Sequence, residues 1–298
     1  MMQSRILSCA AAVALLLAGC RGGSGSKTSH AAIAARSAVD TMWFRSVMGT
    51  YLFNGGVSGN FAVSDTGDPT NATPLYVTVV VNPDGSSQNS YFTDAARTLA
   101  SGTTQVSAPQ AGSGAGVQVQ QLHFTNVGTA MMTGTFVQTK DSSGNVTLQT
   151  TNMTLNANGT TLVFNGTVKG VLGTSASSNP TLTLSASTGL TVTDAGQQTT
   201  LSISSITDTF LATSTNDFIT GALSMNPAES LGDTGTVQFN ADGSAQATLY
   251  DNTSRHLVNV TVDQLGNTNV YVFNPDGTFD ESVSIGVLKA IDPDGISV

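Results

Sequence analysis

Short β-like runs that end in a repeated four-residue turn are the feature that most constrains the fold of this chain. The run Leu75–Val81 leads into Asn82-Pro83-Asp84-Gly85, and Val270–Phe273 leads into Asn274-Pro275-Asp276-Gly277. Proline presets the backbone of the first central position, aspartate suits the second, and glycine takes the left-handed conformation that returns the chain. Related turns follow three more runs, at 141–145, 156–159 and 240–243. The pattern predicts successive β-hairpins.

Alternation inside these runs indicates sheet with one buried face. Apolar residues occupy every second position at 162–168, 182–184 and 201–203, and mostly Thr, Ser and Asn lie between them. Strands of this kind face a core on one side and water on the other. We therefore predict an all-β fold in which antiparallel hairpins or a meander form a sandwich or a barrel.

One segment, 29–48, favours a short N-terminal helix. Ser29 can cap it, and the residues from Ala31 to Ala35 are mostly strong helix formers. The run Met42-Trp43-Phe44 could instead begin a strand that continues to Phe53. The sequence alone leaves both possibilities open for 42–53.

Residues 1–20 have the layout of an export signal. Arg5 precedes an apolar run from Ile6 to Leu17, which is too short to span a bilayer as a permanent helix. The run ends in Leu17-Ala18-Gly19-Cys20, which resembles the lipobox of bacterial lipoproteins. The resemblance implies removal of the signal peptide 1–19 and attachment of fatty acyl chains, such as palmitate, to Cys20. It also implies an outer-membrane anchor, because Arg21 stands where an Asp would indicate inner-membrane retention.

Composition divides the rest of the chain. The Gly- and Ser-rich stretch that follows Cys20 predicts a flexible tether over 20–30. The segment 100–116, which contains Pro109, predicts a linker or long loop. It separates a helix-plus-β portion at 31–99 from a main antiparallel β region at 117–298.

Low charge limits the partners that this chain can have. Charged residues make up 10% of the sequence and the net charge is −9. With no basic stripe and no phosphate-binding glycine loop, nucleic acids and nucleotides are excluded as partners. Between Thr98 and Thr207 only four residues are charged. Either a partner covers this region, or Thr and Asn alone keep it soluble.

The sequence contains no recognisable catalytic constellation. His30, His123 and His256 are widely separated, and no G-x-S-x-G is present. We therefore name no catalytic residue and favour a non-enzymatic role. Turn chemistry accounts better than calcium binding for the Asp-Gly turns, and the best remaining calcium candidates are the carboxylates near the C-terminus: Asp276, Asp280, Glu281, Asp292 and Asp294.

These features predict a lipid-anchored envelope protein with a structural or binding role. It would be held to the membrane by Cys20, would face the periplasm or the cell surface, and would display a β scaffold to a protein or glycan partner. One alternative is a secreted hydrolase or carbohydrate-active module, which needs a carboxylate pair or a histidine bonded to an acid and a serine. Another is an assembly subunit that pairs through uncharged sheet edges.

Overall fold

A computed structural model describes most of the chain from residue 25 to residue 291. The described ranges are 25–53, 58–64, 74–128, 131–157, 160–174, 180–184, 190–194, 199–211, 218–226, 233–240, 244–263 and 267–291. The signal peptide 1–19, the lipidation candidate Cys20 and the calcium candidates Asp292 and Asp294 lie outside the described residues.

Within the described ranges, seventeen strands form one antiparallel sheet. The strands are β1 Gly59–Ser64, β2 Pro74–Val81, β3 Ser87–Phe92, β4 Ala100–Val106, β5 Gln110–Ala111, β6 Gln118–Val127, β7 Met132–Lys140, β8 Asn145–Ala157, β9 Thr160–Thr174, β10 Pro180–Leu184, β11 Leu190–Asp194, β12 Thr199–Leu211, β13 Phe218–Asn226, β14 Thr234–Phe239, β15 Ala245–Tyr250, β16 His256–Val262 and β17 Thr268–Val272. The predicted all-β fold with an N-terminal helix is confirmed.

The sheet is a meander, because each strand pairs with its neighbour in sequence. Two local variations interrupt this order. β4 and β5 both pair with β6, and β10 and β11 each pair with β9 on one side and with β12 on the other. Glycines close the predicted turns at Gly85, Gly144 and Gly277, with φ of 81°, 84° and 82°. The turns near 156–159 and 240–243 fall partly outside the described residues.

Three helices accompany the sheet in the described part of the chain: α1 Gly25–Met42, α2 Phe44–Phe53 and α3 Glu281–Ile291. The predicted single helix is thus two helices on either side of Trp43, and the strand alternative for 42–53 is wrong. The buried residues of α2 recur at helical spacing, at Phe44, Val47, Met48, Tyr51 and Leu52. No helix in the described ranges has the length and apolarity that a membrane span requires.

α3 was not predicted, although its start carries a capping signal. The Asp280 carboxylate accepts a hydrogen bond from the Val283 backbone N–H at 3.1 Å. Ser284, Val287 and Ile291 then lie on one buried face. The helix packs against β17 and α1.

The sheet curls around α1 and α2. Four alanines of α1, at positions 31, 34, 35 and 38, are fully buried, and α1 packs on β11, β12 and β14–β16. α2 packs on β10 and β12, and its Tyr51 ring meets Phe136 of β7. Strands are spaced about 4.8 Å apart and a helix is only about 10 Å wide, so a flat sheet could not bring strands from β7 to β16 to this helix pair.

Two predictions about segment boundaries need correction. The segment 100–116 contains β4 and β5, and β4 pairs with both β3 and β6. Its side chains alternate, with Thr104 and Val106 buried, so the chain needs no long loop there. The tether predicted over 20–30 is helical from Gly25 to His30.

Antiparallel order gives the sheet two distinct ends. The connections β2–β3, β7–β8 and β14–β15 lie at one end, here named the Gly85 end. The connections β3–β4, β6–β7 and β15–β16 and the hairpin after β17 lie at the opposite end. Asp233, which directly precedes β14, also lies there and gives that end its name.

Candidate binding pocket

A cavity opens at the Gly85 end of the sheet, on the face that also holds the helices. Its volume is about 300 Å³. α2, the β2–β3 hairpin and strands β3, β4, β6, β7 and β9 contribute its walls. The lining residues are Tyr51, Leu52, Val81, Gly85, Ser87, Val106, Gln118, Gln120, Leu122, Gln138, Lys140, Leu172 and Gly173.

Edge-to-face aromatic contacts hold in place Tyr51, one of the residues that line this pocket. The ring of Tyr51 lies 5.4 Å from that of Phe136, at an interplanar angle of 70°. Phe136 in turn meets Phe124 at 6.0 Å and 85°. These separations and angles are the ones that aromatic quadrupoles favour. The contacts fix the C-terminal turn of α2 against β6 and β7.

A chain of amide hydrogen bonds lies above that aromatic layer. The Tyr51 hydroxyl donates to the Gln138 Oε1 atom. Gln138 Nε2 donates to Gln120 Oε1 at 3.4 Å, and Gln120 Nε2 donates to the Ser107 carbonyl at 3.1 Å. Each side chain holds the next in one orientation, which keeps the polar wall ordered.

Tyr51 serves as a neutral hydrogen-bond donor. Burial raises the pKa of its phenol well above the ordinary value, because a phenolate would lose its hydration there. The hydroxyl therefore keeps its proton throughout the physiological range. It is suited to holding Gln138 and unsuited to acting as a base.

The charge of the pocket comes from Lys140 alone. Among the described lining residues there is no Asp, Glu or His. The walls otherwise combine carboxamides and a serine hydroxyl with Leu and Val side chains. Such a surface can bind a ligand through hydrogen bonds and apolar contact, and it can pair with one negative group.

The glutamines of this pocket were missed at the sequence level, although a signal was present. In β6, Leu122 and Phe124 are buried, and Gln120 and Gln118 lie on the same face of the strand toward its start. The same phase in β7 runs from the buried Phe136 to Gln138 and Lys140. Polar residues that continue the buried phase of a strand toward its end indicate a wet cavity at that end.

The histidines lie apart from the pocket and from one another. His123 is exposed on β6, where its Nδ1 lies 2.9 Å from the Thr135 hydroxyl. The Nε2 atom of His256 lies 2.7 Å from Asn259 Oδ1, and its ring stacks on Phe273 at 4.0 Å. Neither contact provides the acid and serine partners that a hydrolase would need.

His30 has an acidic partner, which sequence spacing did not reveal. Its Nε2 atom lies 2.5 Å from Asp233 Oδ2, across 203 residues of sequence. The Asp233 side chain is fully buried, and burial raises its pKa although the His30 hydrogen bond acts in the opposite direction. This pair ties the first turns of α1 to the Asp233 end of the sheet.

The three calcium candidates that lie within the described ranges are placed in a turn and at the start of α3. Asp276 accepts hydrogen bonds from the Thr278 backbone N–H and hydroxyl at 2.9 and 2.6 Å, which lower its pKa. The pKa of Asp280 is lowered by the Val283 N–H and the Ser282 hydroxyl. Glu281 is exposed in the first turn of α3. Within the described ranges no group of three or more metal-ligating side chains comes together.

No family model matches the sequence, and neither a curated protein nor a solved structure matches it.

Proposed function

We propose that this protein is a lipid-anchored component of the cell envelope, held in the outer membrane, that presents a ligand-binding pocket away from the bilayer. The supporting observation is the separation of two features along α1 and α2. α1 begins at the Asp233 end, whereas the pocket lies at the Gly85 end beside the last turn of α2. The 18 residues of α1 alone extend about 27 Å, at about 1.5 Å per residue.

The short distance in sequence between Cys20 and α1 supports the anchor half of this proposal. Only the four residues Arg21–Ser24 separate Cys20 from the first residue of the helix. An acylated Cys20 would therefore keep the Asp233 end next to the membrane. The pocket would then face the periplasm or the exterior, where soluble ligands are available.

The lining supports a small, mostly uncharged ligand. Carboxamides both donate and accept hydrogen bonds, so they can match hydroxyl and amide groups on a ligand. The cavity lies at the lower limit of ligand-pocket volumes, which fits a sugar unit or the end of a peptide. Lys140 at the wall favours a ligand with no positive charge.

Fractionation of cells that express Cys20→Ser tests the anchor. We expect the unsubstituted protein in the outer-membrane fraction, with an intact mass that begins at Cys20 and carries acyl chains. We expect Cys20→Ser in the soluble fraction, because serine at this position cannot carry the acyl chains that hold the protein in the membrane. Membrane retention of Cys20→Ser at the level of the unsubstituted protein would overturn the anchor.

A matched pair of variants tests the pocket. Gln118→Trp places an indole in the cavity, and Gln121→Trp places the same ring on the exposed outer face of the same strand. Thermal unfolding is followed with a panel of monosaccharides, amino acids and short peptides. A ligand should raise the Tm of the unsubstituted protein and of Gln121→Trp but leave Gln118→Trp unchanged. Equal shifts in all three proteins would place binding elsewhere.

One of the alternative functions retains a specific supporting observation. In the described part of the chain, β1 pairs only with β2, and β17 pairs only with β16. The free side of β1 is therefore an edge of the sheet. Such an edge suits an assembly subunit that pairs with a neighbour. Concentration-dependent oligomers in sizing experiments would favour that role. A hydrolase is less well supported, since the pocket lining described above has no carboxylate or imidazole.

A further inference from the structure

Exposed apolar side chains are concentrated at one end of the molecule. Of the eight large hydrophobic residues that are exposed among the described residues, five lie at or next to the Asp233 end. We name these five residues the rim. They are Leu99, Met131, Tyr250, Tyr271 and Phe279, with exposures of 61%, 48%, 38%, 40% and 49%.

The rim residues come from connections that are well separated along the meander. Leu99 precedes β4, Met131 precedes β7, Tyr250 ends β15 and Phe279 follows β17. Because the sheet curls around the helices, these positions are distributed around one end of it. A flat apolar surface can therefore meet several of them at once.

Ring contacts hold the aromatic part of the rim in place. Tyr271 lies 5.7 Å from Phe279, and Phe279 lies 6.5 Å from Phe273. Phe273 stacks on His256, which lies 5.5 Å from Tyr250. A fixed group of phenol and phenyl rings at the surface is typical of residues that sit at the boundary between hydrocarbon and lipid headgroups.

The chain that leads to the anchor emerges at this same end. His30 contacts Asp233 there, and the preceding helical residues continue toward Gly25. From Gly25 back to Cys20 is five residue steps, which reach at most roughly 18 Å. Anchored through Cys20, the rim would lie within reach of the headgroup region.

We propose that the rim rests on the lipid bilayer and inserts its apolar side chains among the headgroups, so that the anchored protein stands with its Gly85 end outward. This inference rests on the proposed lipid anchor. Seating at two places, the acyl chains and the rim, would fix the direction of the pocket, which a flexible anchor alone would not do.

The charges around the rim indicate which headgroup charge the bilayer should have. Among the described side chains at this end, exposed or partly exposed carboxylates outnumber the guanidinium groups of Arg97 and Arg255. These carboxylates belong to Asp94, Asp251, Asp276, Asp280 and Glu281. Anionic headgroups would be repelled, so a zwitterionic surface is the expected partner.

Tryptophan quenching by brominated lipids tests this seating. Phe279→Trp and Val80→Trp are compared in the lipidated full-length mature protein, in phosphatidylcholine vesicles brominated near the headgroup. Val80 is 54% exposed near the Gly85 end and serves as the matched control. The constant signal of the buried Trp43 is subtracted with the parent protein.

We expect loss of fluorescence for Phe279→Trp and none for Val80→Trp. Replacing part of the lipid with phosphatidylglycerol should reduce the loss. Equal quenching at both positions would overturn the seating while leaving the anchor intact. Membrane retention of Cys20→Ser would instead overturn the anchor, so the two proposals fail by different results.

Discussion

Tyr51 of α2 donates a hydrogen bond to the carboxamide of Gln138 in β7, 87 residues away in sequence. The bond joins the helix pair inside the sheet to the polar wall of the pocket. Both side chains are buried apart from the surface that they contribute to the cavity. The geometry of the pocket therefore depends on the docking of α2.

Tyr51→Phe should destabilise the protein by about 1–3 kcal/mol, because it leaves the Gln138 carboxamide oxygen without its donor. Urea unfolding measures the change. Tyr51→Phe combined with Gln138→Met should recover part of the loss, since both polar partners are then removed. An additive loss in the double variant would show that the hydrogen bond makes no net contribution.

Two glycine substitutions should have opposite effects. Gly102 has φ of +100°, and a Cβ there would lie 2.2 Å from the Asn126 carbonyl oxygen. Gly102→Ala should cost about 1–3 kcal/mol from backbone strain alone. Gly286 lies in α3 with nothing near its Cβ position, so Gly286→Ala should stabilise by about 1 kcal/mol. Thermal unfolding of both variants checks the sign of each change.

Asp280 should stabilise α3 in a pH-dependent way. Its pKa is lowered in the folded state by the Val283 N–H and the Ser282 hydroxyl. Its contribution is therefore present above the ordinary aspartate value of 3.8 and is lost as pH falls through the lower folded pKa. Asp280→Ala should lower Tm at neutral pH, and the difference from the unsubstituted protein should shrink below pH 3.8.

Asp280→Ser is the matched control for this prediction, because serine also caps helices but does not titrate. It should retain most of the Tm at neutral pH. A gap between the unsubstituted protein and Asp280→Ala that does not change with pH would contradict the assignment of the cap to the carboxylate.

His30 should limit the cost of burying Asp233. The folded pKa of Asp233 is raised, so the protein loses stability as pH rises from the unfolded value through the folded one. The His30 hydrogen bond opposes that loss. His30→Ala should therefore destabilise most at neutral pH, and its curve should approach that of the unsubstituted protein below pH 3.8.

Guanidinium unfolding between acid and neutral pH follows this difference. In an Asp233→Asn background, where residue 233 carries no charge, His30→Ala should have a much smaller effect. The same loss in both backgrounds would assign the role of His30 to packing instead of to its bond with Asp233.

Local patterns predicted the sheet well and long-range contacts poorly. The turns at Gly85 and Gly144 and the buried face at Leu162 and Phe164 followed from residue spacing, because hairpin geometry is set within a few residues. The linker or long loop predicted for segment 100–116 is wrong, because Gly and Ser are typical of loops. The segment instead forms β4 and β5, and β4 is stabilised by pairing with β3 and β6.

The pocket and the His30–Asp233 pair could not be predicted in full for a different reason. Their partners are 87 and 203 residues apart, and only the curl of the sheet around α1 and α2 brings them together. The alternating phase of β6 and β7 does place Gln120 and Gln138 on the inner face. It does not reveal that Tyr51 and Leu52 of α2 line a cavity beside them.

Native mass spectrometry of the lipidated protein, extracted from membranes in mild detergent, tests the central claim most directly. We expect a noncovalent small-molecule adduct on the unsubstituted protein and on Gln121→Trp, and none on Gln118→Trp, whose indole occupies the cavity. An adduct of equal abundance on all three proteins, or the absence of any adduct from the unsubstituted protein, would contradict the account of this cavity as a ligand pocket.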